Sequence, residues 1–375
     1  MSDAREYYLE LVNGKRSTVA DRCLLALLRV LSVPYSLVMR GRAAGYQYGL
    51  FRSRRLPVPV ISVGNLTTGG TGKTPTVAWL ARYLLARGRR VAVLSRGYGG
   101  SAEGEIRIVS DGTGLLCSPA EAGDEPCLLA QSVPGLLVVT GADRYRAGLY
   151  ALERLAPDLF ILDDGFQHQR LRRDLEILLL DCQQPFGNGL TLPAGLLREP
   201  ASAAKRADVV VSTRCAGGAV RPPIPDGTPW CAAAHRLTGL VPLEGGTQEP
   251  FSALAGIPVV AFAGIADPSG FFADLERAGV TPVATIAFPD HVVYGEAERA
   301  EILRVQNAAG ARFLVTTAKD GVKLALHCAE LGNCRIAAME LAFADALPLE
   351  AALEAVLRKD ERDRAETVRP EREES

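Results

Sequence analysis

The stretch Val58-Pro-Val-Ile-Ser-Val-Gly-Asn-Leu-Thr-Thr-Gly-Gly-Thr-Gly-Lys-Thr-Pro75 constrains this chain most, because an apolar run feeds a glycine-rich turn that ends in Gly72-Lys73-Thr74. A strand that runs through such a turn into a helix aims backbone N–H groups and a helix N-terminus at one point, where a polyphosphate can sit. On this reading Thr67, Thr68, Gly69, Gly70, Thr71 and Gly72 form the cradle, Lys73 reaches the β- and γ-phosphates, and the Thr74 hydroxyl ligates Mg2+. The usual spacing wants a glycine five residues before Gly72, and Thr67 stands there instead. The loop is therefore a variant in which Gly69 and Gly70 supply positive φ or close backbone approach. A glycine-rich turn without nucleotide is the alternative, and the strand before and helix after (Pro75 to Ala86) weigh against it.

Beyond the loop, short apolar runs alternate with helical stretches: 90–95, 136–140, 158–162, 175–181 and 209–212. Continuous apolar runs suit strands buried on both faces, which predicts an α/β fold of the P-loop NTPase type, a doubly wound, mostly parallel sheet covered by helices. Residues 216–250 turn rich in Gly, Pro and polar side chains, and a second, smaller α/β pattern follows, with runs at 257–264, 280–288 and 312–317 around a helix at 295–309. The expected organisation is an N-terminal helical segment over 1–56, a kinase-like core over 57–215, a linker over 216–250, a C-terminal α/β domain over 251–357 and a charged, frayed tail over 358–375.

At 375 residues the chain is long enough for more than one domain, and its net charge of -1 provides no field to gather nucleic acid. Local charge differs: residues 1–56 carry ten Lys or Arg against four acids. Within that segment Leu24, Leu27, Leu28, Leu31 and Tyr35 follow helical spacing, with Leu25 and Val30 beside them, while Arg29 and Pro34 interrupt any membrane-spanning run. Two readings stay open: a basic amphipathic helix lying in a membrane interface, or a helix packed on the protein's own core. A secretory signal is disfavoured by the acids at the start, which points to the cytoplasm. Eight cysteines without a C-x-x-C pair argue against a zinc site and a disulfide framework, and suggest small buried residues.

A second informative site is Leu159-Phe-Ile-Leu-Asp163-Asp164-Gly165-Phe166-Gln167-His168, an apolar strand ending in two carboxylates. In a phosphate-loop protein an acid there completes the Mg2+ site; strand alternation sends Asp163 and Asp164 to opposite sides, so one meets metal or its water and the other orients the loop or substrate. Strand-end Asp residues also cap turns. Asp124, in Gly123-Asp-Glu-Pro126, stands at a helix start where capping is the plain explanation, and His291, in Phe288-Pro-Asp-His291, lies in a loop of the second domain. Were the domains to close over a substrate, Asp124 and His291 would meet as a carboxylate base tuned by an imidazole.

Taken together these motifs resemble the tetraacyldisaccharide 4′-kinases of lipid A biosynthesis. The likeness spans nearly the whole chain and adds Ser95-Arg-Gly-Tyr-Gly99, Leu196-Leu-Arg-Glu-Pro200 and Thr316-Thr-Ala-Lys-Asp320 to the segments above. The resemblance implies an ATP- and Mg2+-dependent kinase that phosphorylates the 4′-hydroxyl of a tetraacylated glucosamine disaccharide 1-phosphate at the cytoplasmic face of the inner membrane, with no nucleic acid and no obligate protein partner. It implies Asp124 as base with His291 as its partner, Lys73 and Thr74 on phosphate and Mg2+, Asp163 and Asp164 on the metal or its water, and His168, Arg198 and Glu199 lining the site, with Arg96 on phosphate. Ala318 departs from the family pattern, where an acid commonly precedes the Lys-Asp pair. Two other classes share the loop chemistry: a soluble small-metabolite kinase or ligase, which has no use for a basic, leucine-rich N-terminus, and a nucleotide-driven ATPase switch, which has none for His291 and Glu199.

Overall fold

The computed structural model describes residues 2–215 and 218–367; of the segments set out above, Met1, 216–217 and 368–375 lie outside the described residues. Two helices, α1 (Ser2–Val12) and α2 (Val19–Gln47), precede the first strand. Then come β1 (Val60–Asn65), α3 (Lys73–Leu85), β2 (Val91–Ser95), β3 (Arg107–Asp111), α4 (Pro119–Ala122), α5 (Asp124–Ser132), β4 (Leu137–Thr140), α6 (Arg144–Leu155), β5 (Leu159–Asp163), β6 (Leu175–Asp181) and β7 (Val209–Thr213). The rest comprises β8 (Trp230–Pro242), β9 (Val259–Ala263), α7 (Pro268–Arg277), β10 (Ala284–Ala287), α8 (Glu296–Ala308), β11 (Phe313–Thr317), α9 (Ala318–Leu324), α10 (Cys328–Leu331), β12 (Cys334–Phe343) and α11 (Leu347–Thr367).

Among the described residues, twelve strands form one sheet in the order β10-β9-β11-β12-β8-β7-β6-β1-β5-β2-β4-β3. Most pairs are parallel; β3 runs antiparallel to β4, and β8 antiparallel to β12. The apolar runs become strands because each offers side chains to both faces. Ile61 and Val63 of β1 pack with Val77, Leu80 and Leu84 of α3, whereas Val60 packs with Ala147 and Ala151 of α6. Leu80 and Leu84 are fully buried, each worth roughly 1.5–3 kcal/mol of transfer free energy. The later half repeats the plan, with α7 over Val259 and Ala261 of β9 and α8 over Val260 and Phe262.

Several elements differ from the sequence reading. Within the polar stretch 216–250 lies the thirteen-residue β8, which pairs β7 through Trp230, Cys231 and Ala232 and then β12, carrying the chain from one half of the sheet to the other. Past Arg358 the chain continues as helix to Thr367, because charges of both signs find partners: Arg89 meets Asp360 at 3.5 Å and also Glu361, and Arg364 reaches Asp158 at 3.4 Å. Cys182 and Cys215, just beyond adjacent strands with Cα atoms 5.3 Å apart, form a disulfide that the spacing did not suggest. Of the other cysteines Cys127, Cys231 and Cys334 are buried, while Cys23 is exposed.

The N-terminal segment also resolves into a definite form. α2 is one continuous helix through Pro34, opened by a capping box between Thr18 and Asp21. The expected stripe is not its buried side: Leu24, Leu27 and Leu31 are exposed, as are Val30, Val33, Leu37 and Val38. The inner side instead makes polar contacts, with Tyr35 donating to the Arg198 carbonyl (2.9 Å) and Arg42 to the Gln167 carbonyl (2.9 Å). Of the expected stripe, Tyr35 and the half-buried Leu28 thus meet the rest of the protein, along its margin, while Leu24, Leu27 and Leu31 face away.

Candidate active site

The glycine-rich loop leaves β1 at Asn65 and enters α3 through Gly72, which caps the helix in a left-handed conformation (φ 75°). A Cβ there would lie 2.7 Å from His235 Nε2, so glycine is required both by backbone shape and by space. The loop is pinned on both flanks. Thr68 N–H donates to the Leu196 carbonyl (2.7 Å), and the Thr213 hydroxyl to the Thr71 carbonyl (2.9 Å). Thr67 to Thr71 line a cavity of about 460 Å3 bounded by Asp181, Arg214 and His235, with Asp267 and Arg277 of α7 across the gap. An anionic chain seated on the loop would emerge between the two halves of the sheet.

On the other side of the loop lie the charges of the Asp-Asp turn. Asp163 ends β5 and is buried; its Oδ2 accepts from the Ser95 hydroxyl (3.1 Å), while its Oδ1 is buried without a hydrogen-bond partner among the described residues. Burial, with the Glu125 and Asp164 carboxylates nearby, pushes Asp163 up to about 7. Asp164 turns away from the strand in a left-handed conformation (φ 52°). Arg198 clasps it with both nitrogens, Nη1 to Oδ2 at 2.9 Å and Nη2 to Oδ1 at 3.0 Å, and Lys73 Nζ stands 3.8 Å from Oδ1. Burial alone would raise Asp164, but Arg198 and Lys73 outweigh it and hold the carboxyl below the usual carboxylate range. Asn65 Oδ1 joins the cluster, accepting from Lys73 (3.4 Å) and from Arg198.

The two adjacent carboxylates therefore differ sharply in environment: one is satisfied by cations of the protein, the other is desolvated and short of a partner. An orphaned buried oxygen beside a phosphate loop, with the Thr74 hydroxyl at the start of α3, fits a divalent cation. Among the described residues no cluster of three or more His, Cys, Asp or Glu side chains converges.

Asp124 and His291 do come together, with His291 Nδ1 3.6 Å from Asp124 Oδ2. Capping is not the role of Asp124: Gly123 is the N-cap of α5, and the Asp124 side chain is turned toward His291 and toward Lys323 Nζ at 3.3 Å. Burial raises Asp124, but His291, Lys323 and Lys319 overcome it and hold the carboxyl low. The 95–100 loop links this pair to Asp163. It begins at Ser95, the Asp163 partner, and its backbone packs so closely on the α4–α5 turn that a Cβ at Gly123 would lie 2.7 Å from the Tyr98 carbonyl.

The remaining expected residues fall less uniformly. Arg96 is exposed and pairs with Glu103 at 3.2 Å. Glu199 is 1% exposed and fully taken by Arg206 (2.7 and 3.0 Å), so it holds the Arg198 segment instead of facing the cavity. His168 is half-buried and pushed down to about 4 by burial and by the charges of Arg144 and Arg173. Sequence reasoning missed Arg144, a buried guanidinium at the start of α6 that donates to the Gly141 carbonyl (2.8 Å) and lies in the field of Asp163 and Asp164. It also missed Ser95, Asn65 and Lys323, although the first two stand in motifs already singled out.

Comparison with known proteins yields a consistent set of relatives. Residues 24–358 match the family model described as tetraacyldisaccharide-1-P 4′-kinase. A tetraacyldisaccharide 4′-kinase of Geobacter metallireducens is 59% identical over 337 residues, 90% of this chain and 99% of its own length. That of Geobacter sulfurreducens is 56% identical, over 94% and 99%. A crystal structure of LpxK from Aquifex aeolicus in complex with ATP shares the fold with a TM-score of 0.76 at 36% identity, covering 89% of this chain and 99% of that one.

Proposed function

The chain belongs to the tetraacyldisaccharide-1-P 4′-kinase family, and from that premise we propose that the Asp124–His291 pair, the glycine-rich loop and Asp163 together carry its phosphoryl transfer. The protein is a lipid A 4′-kinase: it uses ATP with Mg2+ to phosphorylate the 4′-hydroxyl of a tetraacylated glucosamine disaccharide 1-phosphate.

In this assignment the backbone N–H groups from Gly69 to Thr74 and the α3 N-terminus hold the β- and γ-phosphates, with Lys73 against the transferring group. Asp163 Oδ1 and the Thr74 hydroxyl would hold Mg2+, which would supply neutralisation of the charge on the transferring phosphate. Asp164 positions: clasped by Arg198, it keeps Lys73 from wandering and ties the loop to the 196–200 segment. Asp124 accepts the proton of the 4′-hydroxyl as its oxygen bonds to the γ-phosphorus and the bond to the β-phosphate oxygen breaks; His291 orients that carboxylate. The observation that carries the reading is the approach of Asp124 to His291 beside the loop that binds Asp163, because it unites a proton acceptor with a phosphate site.

We place the enzyme at a membrane surface. A substrate with four acyl chains stays in a bilayer, and α2 turns exposed Leu27 (55%), Val30 (68%) and Leu37 (60%) outward while its inner side bonds the backbones of Gln167 and Arg198. It is long and apolar enough to cross a membrane, although an interfacial position serves equally well. The deciding experiment is transfer of labelled γ-phosphate from ATP to the tetraacyldisaccharide 1-phosphate in mixed micelles with Mg2+, wild type against Lys73→Ala. Labelled lipid that vanishes with Lys73 supports the site; equal labelling by both proteins would remove the loop lysine from it.

A further inference from the structure

The segment Thr316-Thr-Ala-Lys-Asp320 has no part in the chemistry described above, yet it is tightly built. Thr317 caps α9, its hydroxyl accepting from Asp320 N–H (3.2 Å). Asp320 is completely buried, and its Oδ2 accepts from Gly264 N–H (3.0 Å) and from the Thr317 hydroxyl (2.7 Å). Its other oxygen, Oδ1, has no hydrogen-bond partner among the described residues and lies 3.8 Å from the Nζ of Lys323, one turn further along the helix.

Lys323 is the point where three parts of the molecule meet. Its side chain is only 9% exposed, and an ammonium has three donors and no acceptor capacity. It stands 3.3 Å from Asp124 Oδ2, donates to the Val292 carbonyl (3.2 Å), and leans toward Asp320. Asp124 belongs to the first half of the sheet, Val292 follows His291 in the loop after β10, and Asp320 is a buried anchor of the second half. His291 itself sits at φ 61°, a left-handed conformation that is strained for a residue other than glycine and persists only when its neighbours hold it. Lys319 completes the frame from the same helix, 3.1 Å from Asp290 Oδ1 and 3.3 Å from His291 Nε2.

We infer that Lys323 is the positioning residue of the reaction: its single ammonium joins the Asp124 carboxylate to the His291 loop across the two halves of the sheet and so assembles the base. The inference rests on the assignment of Asp124 as base. A neutral side chain at 323 would leave Asp124 half-buried without its nearest cation and would release the Val292 carbonyl, so both the charge and the aim of the carboxylate would change. The other groups facing Asp124 are His291, Lys319 and, on its own helix, Cys127, whose thiol burial pushes up to about 12 and keeps neutral. Lys323 does not line the nucleotide cavity, so its loss should act on turnover and spare ATP binding.

The test compares wild type with Lys323→Met, Lys323→Gln and Lys323→Arg, measuring kcat and the KM for ATP from pH 3 to 9, a range that reaches the low carboxyl of Asp124. In the two neutral variants kcat falls about 10- to 100-fold and its acid limb moves up by about one pH unit, while the KM for ATP stays within about twofold. Lys323→Arg keeps the limb in place and recovers most of kcat. An unmoved limb in either folded neutral variant, or an equal fall in Lys323→Arg, would overturn the inference. Asp124→Asn run alongside separates the two assignments: wild-type kcat in that variant removes the base itself, whereas an inactive Asp124→Asn with an unmoved limb in Lys323→Gln removes only the role of Lys323.

Discussion

His291 Nδ1 lies 3.6 Å from Asp124 Oδ2, although Asp124 opens a helix packed on β4, near one edge of the sheet, and His291 follows β10, at the other. The meeting is possible because β8 and β12 bind the two halves into one sheet and α9 brings Lys319 and Lys323 up to α5. The separation exceeds a hydrogen bond, as catalytic contacts often do before substrate draws them together. Replacing Asp124 by Asn, which keeps the shape and removes the basic oxygen, should lower kcat by about 10²–10⁴ with little change in the KM for ATP. Steady-state kinetics at saturating lipid decide it, and turnover near the wild-type value would dismiss Asp124 as base.

Arg198 acts through geometry as well as charge. Its two nitrogens match the two oxygens of Asp164, a fork that a lysine cannot reproduce. Arg198→Lys should therefore weaken Mg2+–ATP binding and reduce kcat/KM about tenfold or more, despite the conserved charge. Calorimetric titration with Mg2+–ATP would show this; an unchanged affinity and kcat/KM would argue that Asp164 needs only a nearby cation.

The outward face of α2 is exposed, so polar substitutions there should leave the fold nearly untouched, within about 0.5 kcal/mol each. The triple change Leu27→Ser, Leu31→Ser, Leu37→Ser should nevertheless reduce sedimentation with anionic vesicles, because each serine removes apolar area from the surface offered to lipid. Equal sedimentation of the triple variant and wild type would point to another membrane-facing surface.

Two histidines give stability a defined response to acid. Burial, then the cations Arg144 and Arg173, push His168 down to about 4; burial, then Arg214, do the same to His235. Both rings bind protons more weakly folded than unfolded. Stability is therefore full above the ordinary histidine value and is lost as pH falls toward 4, the unfolded chain taking up protons first. After allowance for partial exposure, about 1–2 kcal/mol per ring is at stake. Denaturant unfolding at pH 7.5 and 4.5 should show a shallower loss in His168→Asn/His235→Gln than in wild type, and parallel losses would place the acid response elsewhere.

Among the described residues, Glu199 is held by Arg206. Arg206→Met would leave its carboxylate buried and uncompensated, at a cost of about 3–5 kcal/mol, whereas replacing both residues by apolar ones should cost far less. Thermal melts of the single and double variants compare these directly; a mild single variant would mean that water reaches Glu199.

The glycine-rich loop and the Asp-Asp turn were legible in the sequence because both depend on neighbours along the chain. An apolar run of strand length followed by Gly72, for which only glycine suits the left-handed helix entry, announces its own geometry. A strand ending in two acids likewise places them at the edge of the sheet where a phosphate loop opens. The parallel core followed from runs apolar on both faces, and most observed strands differ from those runs by a residue or two at their ends; β10 begins four residues into the 280–288 run, and β3 and β12 were not read as strands. β8 was missed: its run, Trp230 to Pro242, is interrupted by His235, Arg236 and Gly239, residues that make sense only beside β12.

Local chemistry is written along the chain: which turn can cradle phosphate, which strands are buried, and which residue types stand in the motifs. Tertiary structure alone decided how roles divide among them. Asp163 and Asp164 are identical side chains in adjacent positions, and only the long-range arrival of Arg198 and Ser95 makes one a satisfied ion pair and the other a desolvated, half-partnered carboxyl. Leu27 and Leu31 fit a core-facing helix by spacing, yet exposure depends on which face meets the rest of the molecule. Lys323 has one local partner, Asp320 on its own helix, and the two that define its role, Asp124 and the Val292 carbonyl, arrive from other parts of the fold. Periodicity and backbone conformation are set within a few residues, whereas desolvation and charge pairing are set by whatever packs nearby in space, and strand order brings those groups together from across the whole chain.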